Sequence, residues 1–246
     1  MTSSKSARDP RTAPLTNAQL RAFVRALAAP APWQAGPTLR RPLPQRKEYV
    51  VRIDLMDMKP PIWRRLALAS DLTMEQVHAV IQVVFGWDGG HLHCFDLWSP
   101  IRQMYCERLL TAYDIEQEGE TGLGEADVRL SQVLVSPGDK VSYTYDFGDD
   151  WRHHIRLEKV NDWLPAAPLA HCLTGKRATP PEDCGGVPGF ESFLQNRAAF
   201  AQSGKEPDDE WEWTMAEFDP AEFDIAVINH TLAAAAENGF AVEVPW

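Results

Sequence analysis

The stretch Lys140-Val-Ser-Tyr-Thr-Tyr-Asp-Phe-Gly-Asp-Asp-Trp-Arg-His-His-Ile-Arg-Leu-Glu-Lys-Val160 decides the fold class. Val141, Tyr143, Tyr145 and Phe147 alternate with Ser142, Thr144 and Asp146, the period of a half-buried strand. Gly148-Asp149-Asp150 reads as the hairpin turn, and Trp151 to Val160 alternates on the return. Working outward, Tyr49, Val51, Ile53 and Leu55 alternate with Val50, Arg52 and Asp54. Lys59-Pro60-Pro61 ends that strand, and Ile62 to Leu68 predicts a second one antiparallel to it. His91 to Trp98 predicts a further strand.

Between them, Thr73 and Gln76 form a capping-box pair ahead of a helix running to about Phe85. That helix is apolar nearly all round (Val77, Val80, Ile81, Val83, Val84), so it belongs in the core. Leu130 to Val135 suggests one helical turn, and Phe190 to Ala201 a helix. Asp219-Pro220-Ala221-Glu222 reads as a helix start, with the end near Asn238-Gly239. The acidic, glycine-containing segment 114–127 reads as an exposed loop, and Asn161 to Gly189 as a long one. Strands followed by helices, without a repeating β-α unit, imply α+β with a mostly antiparallel sheet and packed helices.

The 246 residues accommodate one large domain, or one domain plus an appendage. Residues 1–46 carry eight Lys/Arg and one acid, Asp9, which leaves 16 basic and 34 acidic residues in the remainder. The first 14 residues lack periodicity, Thr16 to Ala29 has helical spacing, and five prolines between Pro30 and Pro44 make an extended linker. A partly disordered basic extension, 1–46, therefore precedes an α+β domain, 47–246. The extension is suited to a protein or nucleic-acid partner, or to the acidic body itself. The acidic body argues against duplex DNA binding there, since phosphate neutralisation dominates such affinity. No apolar run is long enough to span a membrane and the N-terminus has no secretory pattern, so the expectation is a reducing cytoplasm. In that compartment Cys94, Cys106, Cys172 and Cys184 are thiols or metal ligands rather than disulfides.

Three polar segments carry site-forming residue types. His91-Leu92-His93, on a strand, would present two imidazoles to one face, enough to begin a metal site. Asp146, Asp149, Asp150, His153 and His154 surround the hairpin turn, where Gly-Asp-Asp is also ordinary turn chemistry. Glu182, Asp183 and Cys184 lie in Pro180-Pro-Glu-Asp-Cys-Gly-Gly186, with Cys172 twelve positions earlier. Imidazole, carboxylate and thiolate together suit a transition metal such as zinc, with His91, His93, Cys172 and Cys184 as ligands. No HExxH, CxxC, GxSxG, P-loop or dinucleotide fingerprint is present.

Lys59-Pro-Pro-Ile-Trp-Arg-Arg65, Phe85-Gly-Trp-Asp88, His91-Leu-His93 with Phe95, Tyr145-Asp-Phe-Gly-Asp-Asp-Trp151 with His153, Pro180-Pro-Glu-Asp-Cys-Gly-Gly186 and Phe218-Asp-Pro220 resemble, in order, the plasmid pRiA4b ORF-3-like family. The resemblance runs over about residues 48–232. It implies a plasmid or mobile-element setting, and no defined activity. Ala178-Thr179 stand where a cysteine is common in the family, so a family metal site would rely here on Cys172 and Cys184. The reading is an accessory or binding protein of this family. The alternative is a metal-dependent enzyme, a hydrolase acting on nucleic acid or nucleotides.

Overall fold

A computed structural model describes residues 39–99, 104–120 and 122–241. The helix expected at 16–29 and most of the proline-rich linker lie outside them, as does the Cys106 side chain. Eight strands form one sheet in the order β5-β4-β3-β6-β7-β1-β2-β8. The strands are β1 (Lys47–Leu55), β2 (Ile62–Ala69), β3 (His93–Ser99), β4 (Met104–Leu110), β5 (Leu123–Gly124), β6 (Lys140–Tyr145), β7 (Trp151–Asp162) and β8 (Ala170–Lys176). Every neighbouring pair is antiparallel except β4–β5. The helices are α1 (Met74–Phe85), α2 (Ala112–Glu116), α3 (Leu130–Val133), α4 (Gly186–Ser203), α5 (Glu210–Glu217) and α6 (Ile225–Glu237).

The alternation reads out directly as two faces. Tyr49, Val51, Ile53 and Leu55 of β1, Val141, Tyr143 and Tyr145 of β6, and Trp151, Ile155 and Leu157 of β7 are buried in one core with α1. Arg52, Asp54, Arg65, Thr144 and Arg156 occupy the other face and stay partly or fully exposed. The Thr73–Gln76 capping box forms in both directions, and Gly86 closes α1 in the left-handed conformation that glycine adopts without strain.

Several expectations are corrected. The loop expected at 161–189 contains β8, the edge strand paired to β2. Segment 114–127 is not uniformly exposed: it adds β5 and a 3-10 turn, Glu125–Asp127, whose Glu125 is buried. Asp219 does not start the last helix. Its carboxylate accepts the Ala221 amide in a turn, and Asp224 caps α6 instead, accepting from Ala226 and Val227. Phe147 falls past the end of β6 and is exposed rather than on the core face. Trp63 lies half-buried on the outer face under the Arg52 guanidinium, 4.2 Å from its ring centre. Among the described residues, no helix is long and apolar enough to cross a membrane.

Candidate functional site

One end of the sheet gathers residues from all three polar segments. The β6–β7 connection turns back at Asp146, whose φ of 54° is left-handed. Its Oδ1 accepts the Gly148 amide at 2.8 Å, and its carbonyl accepts the Asp150 amide at 2.7 Å. The 180–186 loop docks onto this turn. Gly185 donates its amide to Asp149 Oδ2 at 3.0 Å, and a side chain on Gly186 would run into the Asp149 carbonyl. Asp150, Asp183, Gly185 and Gly186 all take positive φ. Non-glycine residues held there cost about 1–3 kcal/mol each, and such strain concentrates at functional loops.

His91 stands between the two loops. Its Nε2 is 3.2 Å from Asp183 Oδ1, and its Nδ1 is 3.9 Å from Asp146 Oδ1. One donor atom from each of His91, Asp146 and Asp183 lies within 4.8 Å of the other two. Asp146 is buried, His91 half-buried and Asp183 exposed, so the cluster has a shielded floor and a solvent-facing side.

Beneath it lies an aromatic floor. Trp87 stacks on Tyr145 at 5.1 Å and donates its indole N–H to the Pro180 carbonyl at 3.0 Å. Tyr145 donates to Glu182 Oε1 at 3.1 Å, and the Asp88 amide donates to the same oxygen at 3.0 Å. Burial, ahead of every other influence, raises the Glu182 carboxyl above the usual carboxylate range. Its Oε2 is buried with no hydrogen-bond partner among the described residues. Burial first, and then the Glu182 charge, pushes Tyr145 well up, so its hydroxyl stays protonated and donates.

The other expected site residues are elsewhere. His91 precedes β3 rather than sharing its face with His93. His93 is buried, stacked on His78 with ring centres 3.5 Å apart, and its Nε2 lies 3.0 Å from both Glu125 oxygens. His78 Nδ1 is 2.7 Å from the Tyr143 hydroxyl, which also accepts from Gln82 at 2.8 Å. His153 is fully buried among Phe85, Trp87 and Tyr143. Cys172 lies in β8 against α6, where Asn229 accepts its amide and donates to its carbonyl; burial pushes its thiol up to about 11. Cys184 sits beside the site, but burial and then Asp149 push its thiol up to about 12, leaving it protonated. Asp149 is a loop staple, and Asp150 faces solvent 3.3 Å from Arg152.

Comparison with known families falls on this same set of segments. The family described as plasmid pRiA4b ORF-3-like protein matches residues 47–227. The chain belongs to this family. A relative from Sinorhizobium fredii (strain NBRC 101917 / NGR234), the uncharacterized protein y4hQ, is 29% identical over 153 residues, 59% of this chain and 70% of the relative. The crystal structure of a protein of unknown function, MM3350 from Methanosarcina mazei Go1, superposes with a TM-score of 0.61 at 31% identity. It covers 74% of this chain and 96% of its own.

For a pRiA4b ORF-3-like chain, the family segments now have distinct physical jobs. Phe85-Gly-Trp-Asp88 ends α1, supplies the aromatic floor and lends an amide to Glu182. The double glycine of 180–186 permits the close approach to Asp149. Arg64, buried in the Lys59–Arg65 segment, reaches Thr179 Oγ1 at 3.1 Å and so ties β2 to the site loop. Sequence reading did not single out Arg64, Asp88 or Tyr145 as site residues. All three stood inside the quoted family segments, which was the available signal.

Proposed function

We propose that this chain binds one divalent transition-metal ion, zinc in the first instance, through His91, Asp146 and Asp183, and uses it to activate water for hydrolysis. The observation that carries the reading is the meeting of one donor from each of the three separated polar segments. Ligands bound at about 2.0–2.2 Å around a tetrahedral ion stand roughly 3.4 Å apart, close to the 3.2 Å between His91 Nε2 and Asp183 Oδ1; Asp146 lies 3.9 Å from the other ring nitrogen, Nδ1, and would have to close in on the same ion. One imidazole and two carboxylates suit zinc or manganese and leave a position for water on the exposed side. Glu182, with one oxygen unpaired and its pKa raised, is the general base beside it. A phosphoester of nucleic acid or nucleotides fits the chemistry of a metal-activated hydroxide.

Elemental analysis of chelator-free protein is the first test. One metal equivalent is expected, lost in His91→Ala and Asp146→Asn. Added zinc at about 100 times Kd should stabilise the wild type by about 2.7 kcal/mol and leave both variants unmoved. Metal-free protein with an unchanged melting temperature in chelator would reduce His91–Asp183 to a loop-tying ion pair.

A second prediction separates binding from chemistry. Glu182→Gln should retain the metal while hydrolysis of a chromogenic phosphodiester falls about 10²–10⁴-fold. Equal turnover in the two proteins would remove Glu182 from the reaction.

The charge asymmetry favours a second reading: the basic extension, 1–46, recruits an acidic protein or nucleic-acid partner to an accessory protein. Deleting it should then abolish partner capture and leave metal content intact.

A further inference from the structure

We infer that the outer face of the sheet is a docking surface for single-stranded nucleic acid, centred on a row of four cations crossing β2, β1, β7 and β6. The row follows from the strand register. Arg52 is opposite Arg65 on one side and Arg156 on the other, and Arg156 is opposite Lys140. Directly paired residues of antiparallel strands share a face, so the four side chains stand in line. Three inter-strand steps of about 4.8 Å make the row roughly 14 Å long.

Like charges directly opposite one another destabilise a sheet, and this row repeats that arrangement three times. The neighbours offset it only in part. Asp54 pairs with Arg52 at 2.7 Å, and Glu158 pairs with Arg65 at 2.7 Å. Arg156 is exposed and has no ion-pair partner among the described residues. His154, one row away, is held below the usual histidine range by burial and then by Lys140, with Arg156 and Arg152 adding to it and Asp54 opposing. A locally cationic strip therefore crosses a body that is acidic elsewhere.

Two indoles flank the strip. Arg52 lies over Trp63 at 4.2 Å, and Lys140 over Trp98 at 3.8 Å. Cations interleaved with aromatic rings on an open sheet face are how single strands are held: phosphates meet the charges, while bases stack on rings and guanidinium planes. An acidic polypeptide would answer the charges but has no use for the indoles. The inference goes beyond the proposed metal reaction and does not depend on it.

The test is fluorescence anisotropy of a labelled oligo(dT) strand with the full-length chain in chelator, at about 50 mM and about 200 mM salt. Wild type should bind with quenching of tryptophan emission. Contact with about three or four phosphates adds about −2 to −3 to the slope of log affinity against log salt. The variant Arg156→Glu/Lys140→Glu, with an unchanged melting temperature, should bind at least tenfold more weakly at the lower salt. Arg156→Gln alone should flatten the slope by about 1, and Arg156→Lys should retain binding. Any of three results overturns the inference: no binding at the lower salt, affinity unaffected by the Arg156 and Lys140 changes, or displacement by polyglutamate as effective as by unlabelled oligo(dT).

Discussion

Replacing Arg64 by Met is expected to destabilise the fold by about 3 kcal/mol. The guanidinium is buried without a carboxylate beside it. Nε donates to the Val84 carbonyl at 2.8 Å, and Nη1 to the Trp63 and Lys176 carbonyls at 3.0 and 3.1 Å. Nη2 donates to Thr179, and the rings of Phe85 and Phe223 lie 5.0 Å away on either hand. Val84 is in the last turn of α1, so its carbonyl has no partner within the helix. Two effects oppose each other. Burial pushes the guanidinium from 12.5 down to about 10, equivalent to ~3 kcal/mol of desolvation that Met would recover. Against this, four hydrogen bonds to a charged group are worth at least ~1.5 kcal/mol each, and their loss strands buried carbonyls. The hydrogen bonds win by about 3 kcal/mol, or a fall of about 6–12 °C in melting temperature for a domain of this size. Urea unfolding of wild type and Arg64→Met measures this. A Met variant as stable as wild type would mean that relief of the buried charge outweighs the stranded acceptors, as it does for some buried ion pairs. Arg64→Lys keeps the charge but not the planar fork, so it should recover only part of the loss. Because Thr179 is released in either variant, the 177–186 loop should also become the first site of proteolytic nicking.

The sheet was readable where one face is buried and the other wet. Alternation in β1, β6 and β7 carries that information residue by residue, and the Thr73 cap and Gly86 stop mark α1 from both ends. Edge strands carry less. In β8 the outward His171 and Leu173 and the inward Cys172 form too short a pattern to stand out from the prolines before it. The start of α6 was ambiguous because Asp219 and Asp224 are both competent caps. Packing broke the tie: Phe223 must lie flat against Arg64 and Gly175, which places the chain in a turn until Asp224.

The site was legible in residue type but not in grouping. Asp88 and Glu182 meet across 94 positions, a closeness that only the β1–β2–β8 and β6–β7 pairings produce. His91 stands before β3 begins, whereas His93 opens the strand opposite Tyr145 of β6. That register, plus a partner in Glu125 from a segment that reads as loop, carries His93 into the core. Buried histidines and exposed ligand histidines look alike in sequence, because the neighbours that distinguish them are distant along the chain.

His153 makes the cost of that burial measurable. It is fully buried, its Nδ1–H donates to the Trp151 carbonyl at 3.0 Å, and its Nε2 has no partner among the described residues. Burial holds its pKa down at about 3, with the Trp151 and Tyr143 carbonyls pulling weakly the other way. The unfolded chain takes up the proton near the ordinary value of 6.5. Between these values the unfolded state binds more protons, so stability is complete above about pH 6.5 and falls as pH drops toward 3, by about 1.4 kcal/mol per pH unit. His78, buried against His93, shifts in the same direction for the same first reason. His153 alone should remove about 2.7 kcal/mol by about pH 4.5, and His78 adds to that loss. Glu75 and Glu182, whose pKa values are raised by burial, oppose this only as they begin to protonate. His153→Phe should fit the aromatic surroundings and dispense with the unpaired nitrogen, leaving stability at about pH 7.5 within about 1 kcal/mol of wild type. Its loss per pH unit below about 6.5 should be smaller than that of wild type by about 1.4 kcal/mol. Urea titrations at several pH values between these limits read both slopes. Identical slopes would mean that His153 does not carry the acid sensitivity, which would then belong to other groups, His78 first among them.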